Sequence, residues 1–408
     1  MGDPAFPTLE RMDAGVKRGS TTFNGGTAMK MKAAILFEQG LPAPYAQSKP
    51  LRVEEVDLAP PGPGELLIKT GAAGLCHSDL SMIQGVLPKA TPMVPGHEAA
   101  GVVVEVGEGV TAAKPGDHIV MSFIPACGSC EYCAQGRPNI CQTAWDRRTT
   151  GALLTGEHRI SLNGDKIDHT NGVSCYAEYM VAAEGSVVVI DPEVPMVDAA
   201  LFGCAVATGV GAIINTAKVR AGASVAVIGL GGVGLSAVLG AQVAGAGRVI
   251  TIDVDDAKLG LSRQLGATDT FNAKDPDCAQ QVVEATKGGV EYVIEIAGVI
   301  QAMQTAFDIT RRGGTLVSAS LSNVEHRWEL PQAQMVLQEK SILGSMMGGC
   351  VFTRDIPRYI NLYQQGKLPV DRLRSGEIGL DQLNEGFDKL ASGAAVRQML
   401  VMHDEFRP

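Results

Sequence analysis

The chain has 408 residues, 45% of them hydrophobic and 19% charged, the balance of a soluble globular protein with room for two or more domains. Its net charge of −10 argues against nucleic acid as the main partner, because phosphate binding needs clustered Lys and Arg. Nine cysteines in so long a chain, most of them at metal-ligand spacings, favour reduced thiols and a cytoplasmic setting over a disulfide framework.

Residues 1–30 read as a flexible extension or leader. Met1 to Ala28 is polar and lacks the apolar segment of a secretory signal, and Asp3, Glu10 and Asp13 suit a presequence poorly. The folded part is expected to begin near Met29 or Met31. From Lys32 to about Val120, short β-rich runs (Lys32–Phe37, Glu65–Gly71, Ala100–Val106) alternate with Gly/Pro turns, the pattern of a compact β-domain. From about Ala205 to Met346 the chain alternates strand and helix. Strands are expected at Ser224–Ile228, Arg248–Ile252, Tyr292–Ile296 and Thr315–Ser318, and helices at Gly234–Ala244, Gln280–Thr286 and Val299–Ile309. This predicts a doubly wound parallel sheet. Past Gly349 the character is mixed, ending in the β-like run Gln398–Met402. The stretch Ala221–Gly247 carries no charge, but four glycines interrupt it, so a strand-turn-helix is expected there and no membrane span.

Four cysteines, Cys127, Cys130, Cys133 and Cys141, crowd into C-G-S-C-E-Y-C-A-Q-G-R-P-N-I-C. Four thiolates close a tetrahedral Zn²⁺ completely, so such a site is structural. Cys76 (G-L-C-H-S-D), His97 (P-G-H-E-A-A-G) and Cys204 (F-G-C-A-V-A-T-G) form a different set. Two thiols and one imidazole leave the fourth position of a zinc open, the signature of a catalytic site. Cys175, Cys278 and Cys350 are left over and read as buried free thiols.

The run Gly229-Leu230-Gly231-Gly232-Val233-Gly234 follows an expected strand and opens an expected helix. There the first glycine allows a tight turn, the second lets a pyrophosphate approach the backbone, and the third lets helix pack on strand. Unpaired N–H groups at the helix start then face the phosphate charge. Asp253 ends the next strand, nineteen residues beyond Gly234. A carboxylate there accepts from an adenosine ribose and repels a 2′-phosphate, which favours NAD over NADP. Lys258 either reaches the same ribose or stays solvated.

Gly96-His97-Glu98-Ala99-Ala100-Gly101, followed by Gly107 and Val110, stands as a G-H-E-x-x-G-x5-G-x2-V signature. Together with the four-cysteine lobe and G-L-G-G-V-G, it makes the chain resemble the zinc-dependent alcohol dehydrogenases of the medium-chain dehydrogenase/reductase superfamily, from about Lys32 to Val401. The long segment between Cys141 and Cys204, with Gly172-Val-Ser-Cys-Tyr-Ala-Glu178, resembles the dimer-forming liver-type and glutathione-dependent formaldehyde branch. The resemblance implies an α/β chain with a GroES-like β-barrel catalytic domain over 31–205 and 347–408. Its structural zinc lobe lies at about 126–142, and a Rossmann NAD-binding domain covers 206–346. It also implies two Zn²⁺ per chain, NAD, a small-molecule alcohol or aldehyde as substrate, and a homodimer, with a homotetramer as the alternative.

Residue by residue, the resemblance makes Cys76, His97 and Cys204 catalytic zinc ligands, Asp79 the carboxylate that orients His97, and Glu98 a transient ligand or a buried acid. Ser78 matches the hydroxyl that starts a proton relay, Thr208 a contact on the nicotinamide side, and Arg397 a pyrophosphate contact. His77 stands where many relatives place an arginine against the pyrophosphate, and Ser81 where liver-type enzymes end the relay on a histidine. Trp145 replaces the arginine of the formaldehyde branch, with Arg147 and Arg148 just beyond. Val86, Leu87, Phe123 and Trp145 wall an apolar substrate pocket or serve as core. The expected activity is reversible oxidation of an alcohol to an aldehyde or ketone. The alternatives are oxidation of a thiol–formaldehyde adduct and a zinc- and nucleotide-binding protein without turnover.

Overall fold

The computed structural model describes residues 28–323 and 325–407, so the expected extension over residues 1–30 lies outside the described residues as far as residue 27, and its last two residues, Met29 and Lys30, already belong to the first strand. The first strand, Met29–Leu36, pairs antiparallel with Leu51–Leu58 from Met29 opposite Leu58 to Leu36 opposite Leu51. These two close a small barrel with Ile160–Leu162, Asp165–His169 and Met93–Val94. Beside it lies a seven-stranded sheet centred on Glu65–Gly74, which pairs with Ala99–Val106 on one edge and with Tyr179–Ala183 and Gln398–Leu400 on the other. The C-terminal run therefore returns to the first half of the chain. Alternation explains the barrel strands, since residues such as Ala33, Ile35, Leu58 and Ile167 point into one buried cluster.

The second sheet is six-stranded and parallel, in the order Asp269–Asn272, Arg248–Asp253, Ser224–Ile228, Val290–Glu295, Thr310–Ser318, Ser341–Gly344. Numbered along the chain that is 3-2-1-4-5-6, the Rossmann order, in which the chain reverses direction beside the first strand. Its central strands read S-V-A-V-I and V-E-Y-V-I-E and are buried on both faces, as parallel strands covered by helices must be. The uncharged stretch 221–247 divides into a strand, the glycine turn and the helix Gly232–Val243, almost wholly buried. The helix starts two residues before its expected beginning, because Gly231 has extended backbone and stands as its N-cap. The strand expected from Thr315 begins at Thr310, with a register shift opposite Val290 to Tyr292.

Two helices join the halves. Ala205–Gly211 lies against Gly232–Val243, and a Cβ at Gly240 would stand 2.9 Å from the Val210 Cα, so the small residues set how closely the two backbones approach. No single helix among the described residues is long and apolar enough to cross a membrane. One bent pair, Met196–Gly203 with Ala205–Ala217, has the combined length, and most of it is buried in the core. The tail of mixed character holds the helices Phe352–Gln364 and Leu383–Ala391.

Candidate active site and metal centres

Cys76 lies two residues past the strand Glu65–Gly74, at the N-cap of the short helix His77–Ile83; His97 precedes the strand Ala99–Val106; Cys204 precedes the helix Ala205–Gly211. Their ligand atoms all lie within 4.8 Å of one another, and all three residues are buried. Cys204 is hydrogen-bonded to Cys76 and holds it well below the usual thiol range, while that same bond and burial push Cys204 well above it. His97 Nε2 has no hydrogen-bond partner among the described residues, although it is buried. A buried thiolate, a second thiol and an orphaned imidazole nitrogen converging on one point are the donor set of a zinc site with an open position.

His97 Nδ1 lies 3.0 Å from Asp79 Oδ1, and the Tyr176 hydroxyl donates to Asp79 Oδ2 at 2.8 Å. Burial alone would lower His97, but the Asp79 carboxylate and the Cys76 thiolate outweigh it and raise the imidazole well above its usual range. Tyr176 is driven up by burial and then by Asp79, so it remains an O–H donor. Sequence reading missed Tyr176. It stands inside V-S-C-Y-A-E, and nothing local distinguishes it from an ordinary core tyrosine. Ser78 sits in the first helical turn, partly exposed, with no hydrogen-bond partner among the described residues.

Glu98 is wholly buried and is pushed up to about 7 by that burial, against the pull of Arg397. Arg397 Nη1 lies 3.2 Å from Glu98 Oε2 and donates to the Leu75 carbonyl at 2.9 Å. The same guanidinium packs on the glycine turn, since a Cβ at Gly232 would stand 2.6 Å from Arg397 Nε. A single buried side chain therefore touches both the acid beside His97 and the turn that opens the parallel-sheet helix.

The turn itself has the geometry its glycines require. Gly229 has φ +92, a Cβ at Gly234 would collide with the Gly229 carbonyl, and a Cβ at Gly231 would meet nothing within 4 Å. That open backbone is a cradle into which a pyrophosphate fits. Val233 is partly exposed beside it. Asp253 accepts from the Leu230 N–H at 2.6 Å and from the Asp255 N–H at 2.9 Å, so the carboxylate also braces the turn. Thr208 is buried, with Oγ1 3.5 Å from the Met347 sulfur. His77 is exposed; desolvation and the positive charges of Arg397 and Lys258 lower its imidazole, against the Cys76 thiolate. His77, Arg397 and Lys258 therefore share one electrostatic neighbourhood.

Among the pocket candidates, Phe123 meets His97 edge-on, with ring centroids 4.7 Å apart. Leu87 is partly buried and packs on the core of the seven-stranded sheet, and Val86 is partly buried. Trp145 departs from expectation. It lies half exposed on the helix Gln142–Arg147, its face covered by the Arg148 guanidinium at 3.6 Å, so it is a surface stack and not an apolar wall. Lys89 reaches the same helix, bonding the Arg148 carbonyl and Asn171, and burial brings it down to about 8.

The sulfurs of Cys127, Cys130, Cys133 and Cys141 also lie within 4.8 Å of one another. Cys127 Sγ accepts from the Cys130 N–H at 3.3 Å and Cys141 Sγ from the Cys127 N–H at 3.4 Å. Burial would raise Cys127, but the Thr143 hydroxyl and the Ser129 and Cys130 N–H groups bring it to about 5, a thiolate ready for metal. Cys175, Cys278 and Cys350 are buried free thiols, as expected.

Residues 62–192 match the model of the alcohol dehydrogenase GroES-like domain, and residues 232–365 that of the zinc-binding dehydrogenases. The chain is 38% identical to S-(hydroxymethyl)glutathione dehydrogenase of Synechocystis sp. over 376 residues, 91% of this chain and 100% of that one. The same identity and coverage hold for the enzyme of that name from Escherichia coli O157:H7. Among solved structures, benzyl alcohol dehydrogenase from Acinetobacter calcoaceticus is similar with a TM-score of 0.86 at 30% identity, covering 92% of this chain and 100% of that one. An alcohol dehydrogenase zinc-binding domain protein from Burkholderia ambifaria gives 0.86 at 31% with the same coverage. The ligand clusters, the glycine turn and these likenesses converge on one conclusion: the chain belongs to the zinc-dependent alcohol dehydrogenases of the medium-chain dehydrogenase/reductase superfamily, oxidoreductases that use zinc and a nicotinamide cofactor.

Proposed function

We propose that this enzyme interconverts a primary alcohol, aromatic or medium-chain, and its aldehyde, with NAD as the hydride carrier and two Zn²⁺ per chain. The observation that carries the reading is the cluster of Cys76, His97 and Cys204, linked through Arg397 to the turn at Gly232. Zinc in that cluster supplies Lewis-acid activation of an alcohol oxygen, and the nicotinamide supplies the hydride acceptor. Asp79 and Tyr176 hold the His97 ring in one orientation and one tautomer. The Ser78 hydroxyl takes the alcohol proton at Oγ. With Ser81 and not a histidine further along this helix, that proton leaves through water. Phe123, edge-on to His97, keeps one wall apolar, in line with the benzyl alcohol enzyme. Glu98 is buried next to His97 and pairs with Arg397.

Asp253 at the strand end supports NAD over NADP. Cys127, Cys130, Cys133 and Cys141 hold the second, structural zinc. We read the assembly as a homodimer joined at the edge strand Ser341–Gly344, whose outer side is unpaired and flanked by exposed Leu321, Val336, Leu337 and Leu343. Nine free thiols support a reducing, cytoplasmic setting.

A second reading, oxidation of S-(hydroxymethyl)glutathione, is favoured by the names of the relatives and by Lys89 and Arg148, which have no acidic partner among the described residues. NADH formation at saturating NAD⁺ across aliphatic and aromatic alcohols and S-(hydroxymethyl)glutathione separates the two. A kcat/KM for the adduct far above that for benzyl alcohol overturns the first reading. Absence of turnover with every compound overturns both.

A further inference from the structure

A cleft of about 600 Å³, lined by none of the ligand cysteines, lies between the four-cysteine lobe and the parallel-sheet domain. Arg137 enters it from the lobe, Lys218 from the end of the helical segment Ala212–Ala217, and Arg354 from the helix Phe352–Gln364. No acidic side chain lines it. Arg137 and Lys218 are exposed and make no ion pair or side-chain hydrogen bond among the described residues. Arg354 is anchored to buried Asp355 through two bonds, at 2.7 and 2.8 Å, but Arg358 shares that carboxylate at 3.7 Å, so two guanidiniums lean on one acid. A positive excess at one place in a chain of net charge −10 is a local feature and does not follow from composition.

The floor is polar and fixed. Asn139, buried in the lobe, donates to the Met346 carbonyl at 3.0 Å, and the Thr216 and Ser345 hydroxyls pair at 2.8 Å, leaving further amide and hydroxyl donors in the same cleft. We propose that this cleft is a binding site for a small phosphorylated anion carrying two or more negative charges, held by Arg137, Lys218 and Arg354 above Asn139, Thr216 and Ser345. Guanidinium forks match phosphate oxygens bidentately, and a third, flexible ammonium closes on them. The site is separate from the glycine turn, so a cofactor and this anion bind the same chain together.

The test uses the full chain saturated with NADH, which blocks the pyrophosphate cradle at Gly231. Calorimetric titration with inorganic pyrophosphate should show one site per chain, and chloride at matched ionic strength should not reproduce it. In the Arg137→Gln/Lys218→Gln double variant the dissociation constant should rise by about tenfold or more. Both positions are on the surface, and an unchanged melting temperature without pyrophosphate verifies that the fold is intact. Absence of binding to the NADH-saturated enzyme, or equal affinity in the double variant, overturns the proposal.

Discussion

Asp253 performs two tasks that one substitution separates. Its Oδ2 accepts from the Leu230 N–H at 2.6 Å and its Oδ1 from the Asp255 N–H at 2.9 Å, with the side chain almost fully buried. In our reading it also carries the charge that rejects a 2′-phosphate. Asp253→Asn removes that charge but keeps one acceptor oxygen. A pair of unit charges about 4 Å apart is worth ~1 kcal/mol in water and ~4 kcal/mol at an effective dielectric of 20. A value of about 1.4–2.7 kcal/mol within that range should narrow the NAD⁺/NADP⁺ ratio of kcat/KM by about ten- to a hundredfold. The new amide also leaves one backbone N–H of the turn facing an NH₂ group, at a cost of about 1–3 kcal/mol. The NAD⁺ value itself should therefore fall while the NADP⁺ value holds or rises. Steady-state kinetics with both cofactors at saturating alcohol measure this directly. A variant that melts like the parent and keeps its cofactor ratio within about twofold refutes the assignment of Asp253 to cofactor choice.

The remaining expectations concern metal, support and pH. Metal analysis should find two zinc ions in the purified chain; Cys127→Ser should lower the melting temperature, and Cys204→Ser should keep the fold and lose activity. One zinc or none in an active preparation contradicts the two-site reading. Tyr176→Phe deletes the 2.8 Å bond to Asp79 and should weaken zinc retention against a chelator by about ten- to a hundredfold, since partners of a ligand's partner orient the imidazole; unchanged chelator resistance makes Tyr176 a packing residue only. His169 is buried and lowered to about 3 by that burial, whereas in the unfolded chain it titrates near ~6.5. The unfolded state therefore binds the extra proton between those values, and stability falls as pH drops through that window, by about 2 kcal/mol from pH 6.5 to 5. Denaturant curves for the parent and His169→Gln should converge in their pH dependence above pH 7 and diverge below 6; parallel curves exclude His169 as the source.

Sequence alone carried whatever is encoded in short spacing. Four thiols within fifteen residues have few ways to fold apart from one metal, and their sulfurs do converge. The glycines at 229 and 234 meet their steric duties in the turn, one at φ +92 and the other against the Gly229 carbonyl, and Gly231 leaves its backbone open. Strand-helix alternation likewise predicts a parallel sheet, because parallel strands need a crossover between them. The family signature brought Cys76, His97 and Cys204 together across 128 residues, which spacing by itself does not do. The tertiary structure decided the rest. Tyr176 reaches Asp79 from 97 residues away, and Arg397 reaches the Leu75 carbonyl from 322. Neither bond leaves a trace in local periodicity, because each depends on how the C-terminal strand and the loop after the barrel pack around the zinc ligands. Trp145 shows the converse. Hydrophobicity placed it in a pocket, but the chain left it half exposed, where a neighbouring guanidinium covers the ring.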